Sequence, residues 1–336
     1  MIEVIAKLVR GESLSEAEAS SAMETIMRGD ATPIQVAGFM VALRMKGETV
    51  DEITGLARTA RALATPIHAG DGLLDTCGTG GDGLRTFNIS TLAAVVAAAC
   101  GARVAKHGNR AASSSCGSAD VLEALGVRID LGPDGVARCI REVGIGFLFA
   151  PVFHPSFRHA AVPRRELGVR TFFNVLGPLC NPAGARYQAM GVADGGLARK
   201  MAEVLVRLGV EHALVFHAAD GMDELSTTGP SEVIEVRGGA VSTQVLDPAQ
   251  LDLPRAPLEA MRGGDPTENA AIATRVLDGA RGPQRDVVLL NAGAALQAAG
   301  IARDWREGIG ASADAIDSGR AAEALQRWVS ASRAAS

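Results

Sequence analysis

The sequence predicts an α/β protein: a small N-terminal all-helical domain, then a large domain with a central, mostly parallel (mixed) sheet flanked by helices. Two observations carry this prediction. Up to about residue 70 the chain shows helix patterns only, and from residue 73 short apolar strands alternate with helices. The 336 residues suffice for about two domains. We therefore expect a helical domain over residues 1–70 and an α/β domain over residues 71–336.

Three helix starts in the first domain carry a capping box, in which a hydroxyl residue is followed three positions later by Glu or Gln. The three pairs are Ser15–Glu18, Thr32–Gln35 and Thr49–Glu52. Within the second of these helices, apolar residues recur at spacings of three and four, as in Ile34, Ala37 and Val41, and Leu43 follows two positions later. Residues 64–72 resemble a linker that leaves this domain.

The second domain is predicted from alternating elements. Strands are expected at 73–77, 102–108 and 211–218, and helices at about 89–100, 118–126 and 197–209. Three more helices are expected near the carboxyl terminus, at 266–279, 284–300 and 318–332. Because ligands of α/β proteins usually bind outside the carboxyl ends of the strands, the loops that follow the strands are the candidate sites.

Composition narrows the function classes. Lys and Arg number 33 against 38 Asp and Glu, a net charge of −5, which argues against a nucleic-acid or membrane-surface binder. The five cysteines include no C-x-x-C pair, so neither a disulfide framework nor a zinc knuckle is indicated. The amino terminus lacks a signal-peptide pattern, and the apolar run at 92–100 is too short to span a membrane. We expect a cytoplasmic protein with no membrane or nucleic-acid partner.

The turn after the first strand, at 77–91, favours a phosphate site. Gly78, Gly80 and Gly83 match the G-x-G-x-x-G pattern of dinucleotide-binding turns. That pattern also requires an acid about 20 residues further on, where this chain has Lys106 and His107. An NAD site is therefore disfavoured, and an NADP site and an ordinary glycine-rich turn both stay open.

Two properties of the same turn favour an anion whichever ligand is bound. Glycines allow backbone N–H groups to converge on phosphate oxygens. Asn88, Ser90 and Thr91 then open a helix, whose N-terminal N–H groups and dipole attract negative charge.

A second polar loop follows the second strand, at 106–120. Its polar residues are Lys106, Asn109, Arg110, Ser113, Ser114 and Ser118. Two phosphate-type loops predict a ligand with more than one phosphate. His107 is either a general base or a hydrogen-bonded structural group, and Arg110 is either a ligand of the phosphate or a solvated charge.

Two further segments add charge. Asp223 and Glu224, after the strand at 211–218, fit a hard cation such as Mg²⁺, whose remaining ligands phosphates usually supply. Arg164, Arg165 and Arg170 either clamp a carboxylate or face water from a surface helix. The histidines at 154 and 159 lack the H-E-x-x-H pattern of a zinc site.

Together, the motifs GTGGDG, NIST, KHGNRAASS and DGMDE, in this order, resemble those of the anthranilate phosphoribosyltransferases of tryptophan biosynthesis. The resemblance covers nearly the whole chain. It implies a helical domain hinged to the α/β domain, in the fold shared with pyrimidine nucleoside phosphorylases. A helical segment near 160–182 could be added to the helical domain. The resemblance also implies a homodimer and Mg²⁺ as cofactor, and it leaves open an association with an anthranilate synthase component.

The resemblance further implies roles for individual residues. Phosphoribosyl pyrophosphate would be held by Gly78, Gly81, Asp82, Thr86, Asn88, Ile89, Ser90, Thr91, Lys106, His107, Gly108, Asn109, Arg110, Ala111, Ala112, Ser113, Ser114 and Ser118. Magnesium would be bound by Ser90, Asp223 and Glu224. Anthranilate would be bound by Gly78, Asn109 and Arg164, and the implied catalytic residues are Lys106, Asn109 and Arg164.

One departure from the family pattern concerns the residues before Arg164. The family usually has proline and then valine before the paired arginines, whereas here Val162 precedes Pro163. The order restricts the backbone of Val162 and changes the approach to Arg164.

The implied reaction moves the 5-phosphoribosyl group onto the amine of anthranilate and releases pyrophosphate. It needs N–H donors, a lysine and a metal at the leaving group, and the sequence shows no nucleophile–base–orienter trio. Four alternatives stay open at this point: a pyrimidine nucleoside phosphorylase, a phosphoribosyltransferase with another aromatic acceptor, an NAD(P)-dependent oxidoreductase, and a non-catalytic nucleotide-binding module.

Overall fold

The computed structural model describes residues 1–111 and 115–335. The chain begins with four helices: α1 Ile2–Val9, α2 Glu16–Arg28, α3 Pro33–Lys46 and α4 Val50–Ala62. All three predicted capping boxes are formed, at the starts of α2, α3 and α4. The helical beginning of the chain is therefore confirmed.

The apolar spacing noted in α3 marks its buried face only in part. Leu43 is buried, but Ile34 is 84% exposed. Val36, Phe39 and Met40 are buried instead. The apolar spacing in this helix holds for two overlapping faces, since apolar residues occupy most of its circumference, and only packing decides which face is covered.

A seven-stranded sheet forms the centre of the second part of the chain. Its strands are β1 Leu73–Gly78, β2 Arg103–Gly108, β3 Ile145–Phe149, β4 Tyr187–Gly191, β5 His212–Ala218, β6 Ser231–Arg237 and β7 Ala240–Leu246. Their order is β3-β2-β1-β4-β5-β6-β7. The first five strands pair in parallel, and β6 and β7 add an antiparallel hairpin. The prediction of a mostly parallel, mixed sheet is confirmed.

The helices of this part, in chain order, are α5 Ile89–Ala99, α6 Ser118–Ala124, α7 Pro133–Val143, α8 Ala150–Phe153, α9 Arg158–Leu167, α10 Phe172–Leu176, α11 Gly195–Arg207, α12 Pro266–Leu277, α13 Pro283–Ala298, α14 Trp305–Asp317 and α15 Arg320–Ala334. Helix α13 packs on α5 over one face of the sheet, and α11 covers the other face. No helix in the described parts of the chain is both long and apolar enough to cross a membrane.

The two faces of the sheet belong to different hydrophobic cores. One core joins the sheet to α5, α13 and the carboxyl-terminal helices. The other core runs from the first four helices through α10 and α11 to the opposite face of the sheet. Helix α9 packs on α2 and α3.

The sheet has a topological switch point beside β1. From β1 the chain proceeds to β2 on one side, while β4 pairs with β1 on the other side. In such sheets the crevice for ligands opens at the carboxyl ends of the two strands that flank the switch. Gly78 and Gly191 are the partners at these ends.

Gly55 allows α4 to lie close to α2. A Cβ atom there would be 2.3 Å from the carbonyl oxygen of Glu16 and 3.0 Å from Ala19 Cβ. We expect Gly55→Ala to lower the free energy of unfolding by about 1–3 kcal/mol, because two helix backbones would have to separate. Urea unfolding measures the effect. Gly310→Ala, where no atom lies within 4 Å of the added Cβ, is the matched control; equal stability of the two variants would contradict the packing.

Candidate active site

A cavity of about 310 Å³ lies at the carboxyl ends of β1 and β2. The predicted site residues that line it are Gly78, Gly81, Asp82, Thr86, Asn88, Ser90, Thr91, Lys106, His107, Gly108, Asn109, Arg110, Ala111, Ser118, Asp223 and Glu224. The glycine-rich turn, the loop after β2 and the acidic pair therefore face one cavity. Ile89 is fully buried in α5 and is not part of the lining. Ala112, Ser113 and Ser114 lie outside the described residues.

Backbone N–H groups tie the acidic pair to the glycine-rich segment. The N–H of Gly80 donates to Asp223 Oδ2 at 2.6 Å, and the N–H of Ser90 donates to Glu224 Oε1 at 3.1 Å. The approach is so close that a Cβ atom at Gly78 would lie 2.3 Å from Asp223 Oδ2. The two segments, more than 130 residues apart in the chain, thus form one unit.

The acidic pair carries unfavourable negative charge. Burial and the neighbouring charge of Asp82 raise the pKa of Asp223 to about 7, and burial and the charge of Asp223 raise the pKa of Glu224 to about 8. The nearby cation of Arg170 acts in the opposite direction on Asp223. Buried carboxylates that repel one another in this way form a site that favours a cation.

Asp223, Glu224 and Ser90 fit a magnesium ion that would also be coordinated by phosphates of a bound substrate. Carboxylate and hydroxyl oxygens are the hard donors that Mg²⁺ prefers, and Asp223, Glu224 and Ser90 supply them. In residues 1–111 and 115–335, no group of three or more His, Cys, Asp or Glu side chains is placed to hold a metal by itself. An ion at the acidic pair therefore needs further oxygens, which phosphates provide.

Lys106 lies beneath the cavity and is only 2% exposed. Its Nζ donates to the carbonyl oxygen of Thr76, and burial lowers the pKa of the lysine while the charge of Asp75 raises it. Asp75 is itself held by the N–H of His107 at 3.1 Å and by Asn181 Nδ2 at 2.8 Å. This buried network fixes the end of β2 from which the second loop starts.

His107 fits a hydrogen-bonded structural group and not a general base. Burial, and then the neighbouring His154, lower the pKa of its imidazole to about 3. Its Nδ1 lies 3.1 Å from the carbonyl oxygen of Gly177. A base with so low a pKa removes protons poorly near neutral pH.

The two buried histidines predict a stability that falls in acid. Burial lowers the pKa of His154 to about 4, so both rings are neutral in the folded protein and take up protons on unfolding below the ordinary value of 6.5. The contribution of these two histidines to stability should therefore be fully present above pH 6.5 and decline as pH falls toward 4, by up to about 1.4 kcal/mol per pH unit for each histidine. The raised pKa values of Asp223 and Glu224 change stability in the opposite direction over this range, so the histidine contribution is taken from the difference between the wild type and His154→Gln in urea unfolding between pH 7.5 and 5.0. We expect the variant to gain stability relative to the wild type as pH falls below 6.5, and a difference that does not change with pH would contradict this origin.

Ion pairs between Arg110 and helix α6 hold the second loop in place. Arg110 pairs with Asp120 at 2.9 Å and with Glu123 at 2.8 Å, and it lies over the Phe149 ring. The hydroxyl of Ser118 donates to the carbonyl oxygen of Asn109 at 3.3 Å. The charge of Arg110 is thus already balanced by protein carboxylates.

The three arginines Arg164, Arg165 and Arg170 are in different environments. Arg170 lines the cavity and rests on the glycine-rich turn, where a Cβ atom at Gly81 would lie 1.0 Å from its Nη1. The guanidinium of Arg164 lies over the Phe173 ring, 4.9 Å from its centroid, and is not among the described residues that line the cavity. Arg165 is exposed.

Helix α9 continues through Pro163, so Val162 keeps a helical backbone despite the proline that follows it. The restriction expected at Val162 is not strong enough to break the helix. Arg164 accordingly lies in the last turn of α9.

Several lining residues were not singled out as ligands from the sequence: Cys77, Thr79, Arg85, Phe87, Cys116, Gly117 and Asn174. Most of them lie inside segments that the sequence did mark, between or beside predicted ligands. Arg85 has no special sequence signal, because its distinguishing feature, a left-handed backbone with φ of 55°, appears only in the structure.

Comparisons with known proteins agree with this fold. Residues 2–64 match the model of the glycosyl transferase family helical bundle domain, and residues 70–322 match that of the glycosyl transferase family a/b domain. The anthranilate phosphoribosyltransferase 2 of Streptomyces coelicolor is 60% identical over 320 residues, covering 95% of this chain and 96% of that protein. The anthranilate phosphoribosyltransferase of Moorella thermoacetica is 56% identical over 326 residues, covering 97% and 96%.

Solved structures show the same likeness. The crystal structure of anthranilate phosphoribosyltransferase from Thermus thermophilus has a TM-score of 0.93 at 49% identity, covering 98% of this chain and 99% of that one. The enzyme from Saccharomyces cerevisiae in complex with PRPP and Mg has a TM-score of 0.90 at 27% identity, covering 99% and 98%.

The helical bundle, the mixed sheet and the cavity at its switch point define a glycosyl transferase of this two-part kind. With relatives this similar over nearly its whole length, the chain belongs to the anthranilate phosphoribosyltransferase family.

Proposed function

We propose that this protein transfers the 5-phosphoribosyl group of phosphoribosyl pyrophosphate to the amine of anthranilate and releases pyrophosphate. The single observation that carries the proposal is the meeting of the glycine-rich turn, the loop after β2 and the acidic pair around one cavity. A donor with a diphosphate and a further phosphate needs several anion sites and a cation site together, and these segments supply them. The named activity of the relatives supports the same reaction.

The chain surrounds the leaving group with polar residues. Residues of the glycine-rich turn and of the start of α5, among them Asn88 and Thr91, line the cavity in which negative charge grows on the diphosphate as the bond to the ribose breaks. Mg²⁺, held by Asp223, Glu224 and Ser90, would offset that charge when bound. The buried cation of Lys106 lies below the same site and adds a fixed positive potential.

The acceptor needs orientation more than acid–base chemistry, since the amine of anthranilate is neutral and already nucleophilic. Asn109 lines the cavity, and Gly78 lies at its floor beside Asp223. Bringing the amine close to the ribose carbon accounts for much of the rate in such a reaction.

We assign the carboxylate of anthranilate to Arg164. Within the described residues its guanidinium has no carboxylate partner, and burial lowers the pKa of this arginine, so an incoming carboxylate would meet an uncompensated cation. We expect Arg164→Lys to raise the KM for anthranilate about tenfold or more and to leave the KM for phosphoribosyl pyrophosphate within about twofold. Steady-state kinetics with each substrate varied in turn measure both. Arg165→Lys, at the exposed neighbour, is the matched control; equal effects in both variants would contradict the assignment.

The activity is tested by following anthranilate fluorescence after mixing it with protein, phosphoribosyl pyrophosphate and Mg²⁺. We expect loss of fluorescence that requires all three additions. Loss of thymidine in the presence of inorganic phosphate, with anthranilate left unchanged, would instead indicate a pyrimidine nucleoside phosphorylase. Consumption of a different aromatic acceptor alone would show that the acceptor has been misassigned.

We further propose that the protein forms a homodimer through α1 and α3, which pack together and carry exposed apolar side chains. These are Ile2, Val9, Ile34 and Met45, each between 72% and 84% exposed. Light scattering should give twice the chain mass for the wild type and the chain mass for Ile34→Glu. Val245→Glu, at an exposed valine of β7, should leave the dimer intact.

The remaining partner and location assignments rest on family membership. Both substrates are charged metabolites, which fits action in the cytoplasm. An anthranilate synthase component would supply the acceptor, so the light-scattering measurement is repeated with that component added. A complex of larger mass would support the association, and unchanged masses would oppose it.

A further inference from the structure

Arg85 stands out among the cavity residues because its backbone is strained. Its φ is 55°, and in the described residues only Asp252 shares a positive φ among non-glycine positions. A side chain in this left-handed region is unfavourable, whereas glycine adopts it freely, as Gly83 does two residues earlier with φ of 76°. Strain of this kind persists only where the surrounding structure enforces it, and it is concentrated at functional sites.

The segment 261–263 enforces this conformation. The carbonyl oxygen of Arg85 accepts the N–H of Gly263 at 2.9 Å, and the N–H of Phe87 donates to the carbonyl oxygen of Met261 at 3.0 Å. Thr86 and Arg262 form an isolated antiparallel bridge between these contacts. The approach is tight enough that a Cβ atom at Gly263 would lie 2.7 Å from Phe87 Cα. Arg85 is therefore held through its own carbonyl group and through the two residues that follow it.

The guanidinium of Arg85 has no hydrogen-bond or ion-pair partner in the described parts of the chain, unlike the other cations of the cavity. Lys106 donates to Thr76, Arg110 is paired with two carboxylates, and Arg170 donates to the carbonyl oxygen of Thr79 at 3.4 Å. Arg85 is exposed on a fixed backbone, and an unpaired guanidinium beside a phosphate cavity is suited to an anionic ligand.

We propose that Arg85 is a further donor-binding residue whose guanidinium contacts the diphosphate of the phosphoribosyl donor. The inference rests on the proposed function, which supplies the donor. The diphosphate end is favoured because Arg85 belongs to the turn whose Gly80 N–H binds Asp223, and the acidic pair marks the position of the bridging cation. The strained backbone is then the cost of presenting a cation at that end of the cavity.

The proposal predicts opposite changes in stability and in donor use. Arg85→Gly and Arg85→Asn both suit a left-handed backbone and both remove the charge. We expect each to raise the thermal midpoint, to lower kcat/KM for phosphoribosyl pyrophosphate about tenfold, and to raise the Ki of inorganic pyrophosphate by a similar factor, as expected for a lost charge-assisted contact. The KM for anthranilate should stay within about twofold, and Arg85→Lys, which keeps the positive charge, should lose less donor affinity than Arg85→Gly or Arg85→Asn.

Asp252→Gly is the matched control for the relief of strain, because Asp252 has φ of 60° and lies away from the residues that line the cavity. It should not change the Ki of pyrophosphate. The proposal is overturned if pyrophosphate and the donor behave as in the wild type in both Arg85→Gly and Arg85→Asn, or if only the Ki of ribose 5-phosphate rises. Because the wild type must first consume anthranilate in the same assay, failure of the proposed reaction is seen separately from failure of this assignment.

Discussion

Replacing Asp223 by Asn together with Glu224 by Gln should lower phosphoribosyl transfer by about 10²- to 10³-fold while the fold is retained. The exchange removes the two carboxylates that would hold Mg²⁺ but keeps an oxygen to accept each of the N–H groups of Gly80 and Ser90. Rates measured across a magnesium titration test the expectation. Wild-type turnover should rise with the ion and saturate, whereas the variant should stay low throughout.

The same double variant should be more stable than the wild type at alkaline pH. The raised pKa values, about 7 for Asp223 and about 8 for Glu224, mean that the folded state keeps protons which the unfolded chain has already released. In the absence of metal, these two groups therefore make the wild type lose stability as pH rises from about 4 to about 8, and the amide variant lacks this loss. Urea unfolding at pH 6 and pH 8 measures the difference.

Glu232→Gln, at an exposed glutamate of β6, is the control for removal of a negative charge. It should match the wild type in activity and in its response to magnesium. Unchanged turnover of the double variant over the magnesium titration would contradict the metal assignment.

Gly78→Ala should lower kcat/KM by about 10²-fold with a smaller effect on stability. The added Cβ would lie 2.3 Å from Asp223 Oδ2 and 3.1 Å from the carbonyl oxygen of Asp223, so the acidic pair must move away from the turn. A shift of about 1 Å at a reacting centre is enough for a loss of this size. Steady-state kinetics and thermal unfolding of the same preparation measure both effects.

Gly310→Ala introduces the same methyl group in α14, where no atom lies within 4 Å, and should leave activity unchanged. Wild-type kinetics in Gly78→Ala would show that the close contact between turn and acidic pair has no bearing on catalysis.

Features set by neighbouring residues could be predicted from the sequence. Each capping box joins residues three positions apart, so Ser15 and Glu18 find each other in any structure that contains the helix. The meeting of the loops after β1 and β2 was predictable for a related reason, since parallel strands place their carboxyl ends at the same edge of a sheet.

Features that depend on distant packing could not be predicted. The sequence did not mark β4, yet the pairing of Leu74 with Tyr187 places this strand at the switch point and so fixes where the cavity opens. The fit of Arg170 onto Gly81 and the left-handed backbone of Arg85 likewise depend on contacts with segments far along the chain. Residue types at these positions carry no local sign of those contacts.

The central claim is that the glycine-rich turn, the loop after β2 and the acidic pair form one donor site. A crystal structure with phosphoribosyl pyrophosphate and Mg²⁺ bound tests it most directly. We expect one donor per chain, with its diphosphate between residues 78–91 and the metal on Asp223 and Glu224, and with the rest of the donor against residues 106–118. A donor that contacts only one of these segments, or a metal bound away from the acidic pair, would contradict the claim.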